Sequence, residues 1–254
     1  MNQITPVVKQ LLIINVLFFI GSQLVPDGYA YELFSLYYPE SHNFRIWQPL
    51  THMFMHAPMP QISHLLFNMF ALYSFGSTLE HFWGGKRFLI FYLICGFGAS
   101  LIHMGSSYYY FHDGLNYLTN NNLDKLEILK TLNENKVGVN WINLMPEKVY
   151  NNFIQSFIST AVGASGAIYG LLVAFAMMFP DAKLGIMFIP IPIKAKYFVP
   201  IFMLLYDGFF GIFGFSFLAI GSGIAHFAHI GGALTGFILM MLWRNKKFNF
   251  NRLN

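Results

Sequence analysis

The sequence predicts an all-α polytopic membrane protein, and two observations carry that prediction. Of 254 residues, 56% are hydrophobic and only 10% are charged, whereas soluble domains run near half apolar and a quarter charged. A membrane-spanning helix needs roughly 20 mostly apolar residues. Six such runs occur along the chain, at about 8 to 25, 62 to 82, 88 to 104, 156 to 179, 197 to 217 and 223 to 243. Residues 1–254 then form a single six-helix membrane domain.

The first run has Lys9 as its only early cation and lacks a small-x-small cleavage site, so it reads as a span rather than a signal peptide. The first outer loop, about 26 to 61, carries "FRIWQPLTHMFMHAPMP", too apolar and aromatic to be merely solvated. It is expected to be partly membrane-embedded, in the interface or against the bundle. The third span holds the lone cysteine, Cys95, read as a small packing residue. After it comes a long polar outer loop, 105–155, unusual in length for a structureless connection. Within it, Leu123, Leu126, Leu129 and Leu132 fall three apart among charges, predicting a short amphipathic helix in what reads as a variable insertion. The fourth span holds "AVGASGAIYG" and the sixth "AHIGGALTG". The fifth holds Asp207, an acid deep inside a helix on this map, a functional hypothesis with no nameable partner.

Cations are retained on the cytoplasmic side of a membrane. With the N-terminus inside, Lys9, Lys86, Arg87, Lys183, Lys194, Lys196, Arg244, Lys246, Lys247 and Arg252 all fall on inner segments, against Glu80 and Asp181. The net charge of +4 is therefore a topology signal. No aromatic-basic motif supports nucleic-acid binding, and no internal repeat supports a transporter built from inverted halves. Short ends without a targeting extension point to a bacterial inner membrane, with both termini cytoplasmic.

The second, fourth and sixth spans then enter from the outer face, so offsets from their starts compare as depths. At 1.5 Å per residue, Ser165 lies about 8 Å deep, His229 and Asn68 about 9 Å, and His64 one turn above Asn68. Polar groups inside a bilayer are costly and face a bundle interior or a water-filled cavity. A serine is a poor nucleophile unless a histidine takes its proton, and that histidine can later protonate the leaving amine. Ser165 and His229 suit those roles. Gly166 and Gly170, with Gly232 and Gly236, form two small-xxx-small pairs that would let the two helices meet closely. Tyr169, at i+4 from Ser165, could orient the imidazole. His64 and Asn68 share one helix face and, with backbone amides from Gly163 to Ser165, could donate to an oxyanion. His52 and His56 are also spaced i, i+4, but Met53 stands where a zinc protease needs glutamate. No metal site and no cofactor are expected. His226 is read as a structural hydrogen bonder, with lining of a water path as the alternative.

These residues resemble the rhomboid intramembrane serine proteases. The likeness rests on "GASG" at 163–166, "AHIGGALTG" at 228–236, "HLLFN" at 64–68 and "GSTLEHFWGGKRF" at 76–88, and runs from about Trp47 to Trp243. It implies a Ser165–His229 dyad without a third acid, an oxyanion hole that includes His64 and Asn68, and Tyr169 packed on His229. It further implies an outward-opening aqueous cavity, single-span membrane proteins as substrates, membrane lipid as surroundings, and gating by helix five. One departure is Trp47-Gln48, where the family often has Trp-Arg. The outer insertion is another. The competing reading is a catalytically silent relative that binds membrane-spanning clients.

Overall fold

The computed structural model describes residues 4–186, 189–203 and 225–244. Helix α1 (Pro6–Leu24) opens with a proline, whose missing N–H is no loss in a first turn. The next amides find their acceptor elsewhere in the bundle: Val7 N donates to Glu80 Oε1 at 2.9 Å and Val8 N to Glu80 Oε2 at 2.8 Å. Thr5 Oγ1 donates to the same carboxylate. Glu80 is buried, so a carboxylate meets the positive end of α1 inside the protein. The run around Glu80 follows from this contact. A side chain at Gly85 would begin 2.7 Å from Val7 Cγ2, one at Gly76 would begin 3.0 Å from Val8 Cγ2, and Gly84 takes φ +77. Positive φ is where glycine, and few other residues, sit without strain.

The stretch expected to be the first outer loop contains α2 (Tyr29–Phe34) and α3 (Gln48–Thr51) and lies against the bundle. Ser100 Oγ donates to Pro49 O at 2.6 Å, and Met53 is buried over Gly96, where any side chain would collide with it at 2.1 Å. Gln48 is fully buried. Its Nε2 donates to Asn43 O at 2.9 Å and Glu32 O at 3.1 Å, while Oε1 accepts from Tyr37 N at 3.3 Å. An uncharged amide thus ties together three stretches of the loop, where the resemblance had suggested an arginine.

The second apolar run is one bent path, α4 (Ile62–Ala71), a π-type turn (Leu72–Gly76) and α5 (Ser77–Trp83). The third was expected to end near 104 but continues as α6 (Gly85–Asn120), 36 residues or about 54 Å, well beyond a hydrocarbon core of ~30 Å. The expected polar loop over 105–155 is therefore largely helical. The end of α6, α7 (Lys125–Asn133) and α8 (Glu147–Ile158) pack around a second core of Tyr38, Phe111, Leu118, Ile128, Leu132, Trp141 and Phe153. The short amphipathic helix expected from the leucine spacing is α7, which buries Ile128 and Leu132 while Leu126 is 75% exposed. At 3.6 residues per turn a strict spacing of three drifts by about 60° per step, so four such leucines cannot all share one face.

The fourth run, expected from 156, begins as helix only at α9 (Ser165–Met178). Ser156 belongs to α8, and the chain between the two helices is extended, with Leu36 and Ala161 exchanging both N–H···O bonds at 3.0 Å. Helix start and depth are therefore decoupled at Ser165. An unanticipated hairpin follows, β1 (Lys183–Ile186) antiparallel to β2 (Ile189–Lys194), then α10 (Ala195–Met203). Most of the fifth expected span, with Asp207, lies outside the described residues. Helix α11 (Ala225–Arg244) corresponds to the sixth run. Among the described residues, Pro6–Leu24, Gly85–Asn120 and His226–Trp243 are long and apolar enough to cross a bilayer, and the chain is an integral membrane protein.

Candidate active site

Helices α9 and α11 meet each other and α6 through glycines, where neither has room for a side chain. A Cβ at Gly232 would lie 1.8 Å from Gly166 O, one at Gly236 2.7 Å from Gly170 Cα, and one at Gly170 2.4 Å from Cys95 Sγ. One at Gly166 would lie 2.5 Å from the Ala99 methyl. Backbones of α9 and α11 therefore touch, and the side chains flanking the contact are brought into reach of one another. His229 Nε2 stands 2.9 Å from Ser165 Oγ, across 64 residues of sequence. The Tyr169 ring lies parallel to the His229 imidazole, 4.3 Å between centroids and 11° between planes. With a ring stacked on one face at that distance the imidazole cannot turn freely, so its orientation is constrained from α9.

Ser165 is the first residue of α9, where amides lack an intrahelical acceptor. Gly163 precedes it at φ +121. A side chain there would begin 3.0 Å from His64 Nε2 and 3.6 Å from Ser165 Oγ, so the glycine keeps open the space that both groups border. Its own amide is engaged, donating to His52 O at 2.9 Å. That contact removes the Gly163 N–H from the expected oxyanion donors and leaves the glycine a conformational role.

His64 accepts from the Ala57 amide at Nδ1, 3.1 Å away. A nitrogen that accepts carries no proton, so a neutral His64 has its hydrogen on Nε2, the atom facing Gly163 and Ser165. No side-chain motif could have disclosed this, because the determining group is a backbone N–H. Asn68 is buried on the next turn of α4 and gives one amide hydrogen to His64 O at 2.8 Å, with a second remaining on Nδ2. His52 and His56 diverge: His52 Nδ1 pairs with Gln48 O at 3.1 Å, while the His56 ring lies 5.3 Å from that of His64. His226 is buried edge-on to His229 at 6.1 Å between centroids.

A family model for the Rhomboid domain matches residues 43–119 and 133–246. The chain belongs to the rhomboid family. No curated protein matches it. Within this rhomboid domain the unmatched stretch, residues 120–132, coincides with the end of α6 and most of α7. The helical cap formed by the end of α6, α7 and α8 is thus matched by the family model only in part.

Proposed function

We propose that this rhomboid is an intramembrane serine endopeptidase. The reading rests on one observation above the others, the 2.9 Å contact between His229 Nε2 and Ser165 Oγ. In the proposed reaction Oγ attacks a peptide carbonyl while Nε2 takes its proton. The carbonyl oxygen becomes an oxyanion, with His64 Nε2–H, the second Asn68 amide hydrogen and the Ser165 amide as donors. His229 returns the proton to the leaving amine, which departs and leaves an ester on Ser165. A water, deprotonated by His229 in turn, cleaves that ester and restores the hydroxyl. Gly163 acts by absence of a side chain, and Tyr169 by holding the imidazole plane.

The substrates proposed are single-span membrane proteins, cut near the outer interface. The chain crosses six times in this reading, both ends cytoplasmic and the site opening outward. Its test is cleavage of a model single-span substrate in liposomes by wild type and Ser165→Ala, with product masses locating the bond. Product from wild type only, together with fluorophosphonate labelling of Ser165, is the expected result. Inert wild type across several substrates, with Ser165 unlabelled, would transfer the assignment to client binding without catalysis.

A further inference from the structure

Between α8 and α9 the chain has no helix of its own, so the position of Ser165 depends on what holds residues 159–164. Gly163 is tied to His52 O, and Ala161 to Leu36 by a reciprocal pair of backbone bonds. Leu36 in turn opens a strap, residues 36–43, that runs along the helical cap. Tyr38, 2% exposed, inserts between Phe111 of α6 and Phe157 of α8, at 4.7 and 5.5 Å between ring centroids. Its Oη donates to Glu40 Oε1 at 3.0 Å, and Lys125 Nζ, at the start of α7, reaches Glu40 Oε2 at 3.0 Å. At the far end of α7, Asn133 Oδ1 accepts from the His42 amide at 3.0 Å and from His42 Nδ1–H at 2.8 Å. The two ends of α7 therefore grip Glu40 and His42, while Gln48 closes the neck of the strap by holding Tyr37 N and Asn43 O.

We propose that α7 positions Ser165: Lys125 and Asn133 grip Glu40 and His42, and the strap carries that placement through Leu36 and Ala161 to the turn that leads into α9. A single exposed ion pair or hydrogen bond contributes little. Here two such ties flank a buried tyrosine ring on one short strap, so they act together. Attack geometry also tolerates little error, since a displacement of about 1 Å can cost about a hundredfold in rate. Ala161 stands just before Gly163, and a shift of the strap reaches the serine unless the His52 O bond fixes the turn by itself. In that rival arrangement the cap would only stabilise. Lys125 and Asn133 are positioning residues in this account, because neither touches Ser165. The role rests on the reading of Ser165 as a nucleophile, whereas the course of the strap does not.

The test uses the full chain in nanodiscs, well below its melting midpoint, with two readouts: hydrogen exchange of the Leu36 and Ala161 amides, and the rate of fluorophosphonate labelling of Ser165. Lys125→Met/Asn133→Ala removes both grips. Exchange at the two amides is expected to rise about fivefold, the equivalent of one lost hydrogen bond, and labelling to slow about tenfold. Asn133→Asp keeps an oxygen acceptor for His42 and should label as wild type does. Leu126→Ser, on the exposed side of α7, should do the same. A cap that only stabilises would lower the melting midpoint of the double variant and leave both readouts unchanged, and that result overturns the proposal. Faster exchange with labelling at the wild-type rate overturns it as well. If the double variant does not fold, Lys125→Met and Asn133→Ala singly replace it. Should wild type itself resist labelling, the nucleophile reading fails separately. Exchange then decides the placement: faster exchange in the variants upholds a hold by α7 on the chain before Ser165, and unchanged exchange sinks it.

Discussion

Gly232→Ala should separate Ser165 and His229, the proposed reacting pair, without touching either member. The added methyl would begin 1.8 Å from Gly166 O, whereas a carbon and a carbonyl oxygen in contact settle at about 3.3 Å. Helices α9 and α11 must therefore part locally by about 1.5 Å. One turn away, the 2.9 Å contact between His229 Nε2 and Ser165 Oγ would stretch toward 4.4 Å, past the range of a hydrogen bond. Overpacking of this kind costs about 1–3 kcal/mol, and loss of a positioned base lowers the rate about 10²–10⁴-fold. The expected phenotype is thus a folded protein with a lowered melting midpoint, cleavage reduced at least a hundredfold, and Ser165 labelled far more slowly by fluorophosphonate. Gly236→Ala, whose closest contact is 2.7 Å, should fall between this variant and wild type. Gly105→Ala meets nothing within 4 Å and should keep full activity, with α6 stabilised by about 0.5–1 kcal/mol. Cleavage by Gly232→Ala within twofold of wild type would refute the claim that this glycine contact positions the pair.

Glu80→Ala strips the acceptor from the Val7 and Val8 amides and the Thr5 hydroxyl. At roughly 1–3 kcal/mol per orphaned buried group, we expect a loss of about 3 kcal/mol, seen as a lower melting midpoint and faster hydrogen exchange in the first turns of α1. Gln48→Glu turns a donor to the Asn43 and Glu32 carbonyls into a charge facing them. Limited proteolysis should open residues 35–60 in that variant before any other segment, and unchanged protection would count against the stapling role. Glu40 gives an acid response. Partial burial opposes ionisation, but hydrogen bonds from Lys125 and Tyr38 and the nearby positive charge prevail and hold its carboxyl below the usual range. A lowered folded value means stability that is present above the unfolded pKa near 4.3 and lost as pH falls through the folded one. With the carboxylate nearly a third exposed, the contribution is a fraction of a kcal/mol. Exchange protection of α7 should decline on acidification below about pH 4, and Glu40→Gln should flatten that decline.

Much of this protein was readable from residue types alone, because a bilayer forbids what water permits. Long apolar runs had to be helices, since no solvent satisfies their backbone, and α1, α6 and α11 follow from that rule. A serine and a histidine at similar depth in two glycine-bearing runs pointed to one place for the same reason, as isolated polar groups there are costly. The short amphipathic helix was legible and is α7, but the continuation of α6 to Asn120 was hidden, because Gly105 at the end of the apolar run reads as a stop and the helix runs through it. The start of α9 was also hidden, being set by Gly163 at φ +121 and a bridge from Leu36 to Ala161 across the fold. Sequence by itself determined the membrane class, the apolar runs and the residue types available for chemistry, since transfer into a bilayer depends on composition. Tertiary structure decided which of their atoms meet: the 2.9 Å pair, the Nε2 proton of His64 and the engaged amide of Gly163. Each depends on directional contact between distant segments, and hydropathy carries no direction.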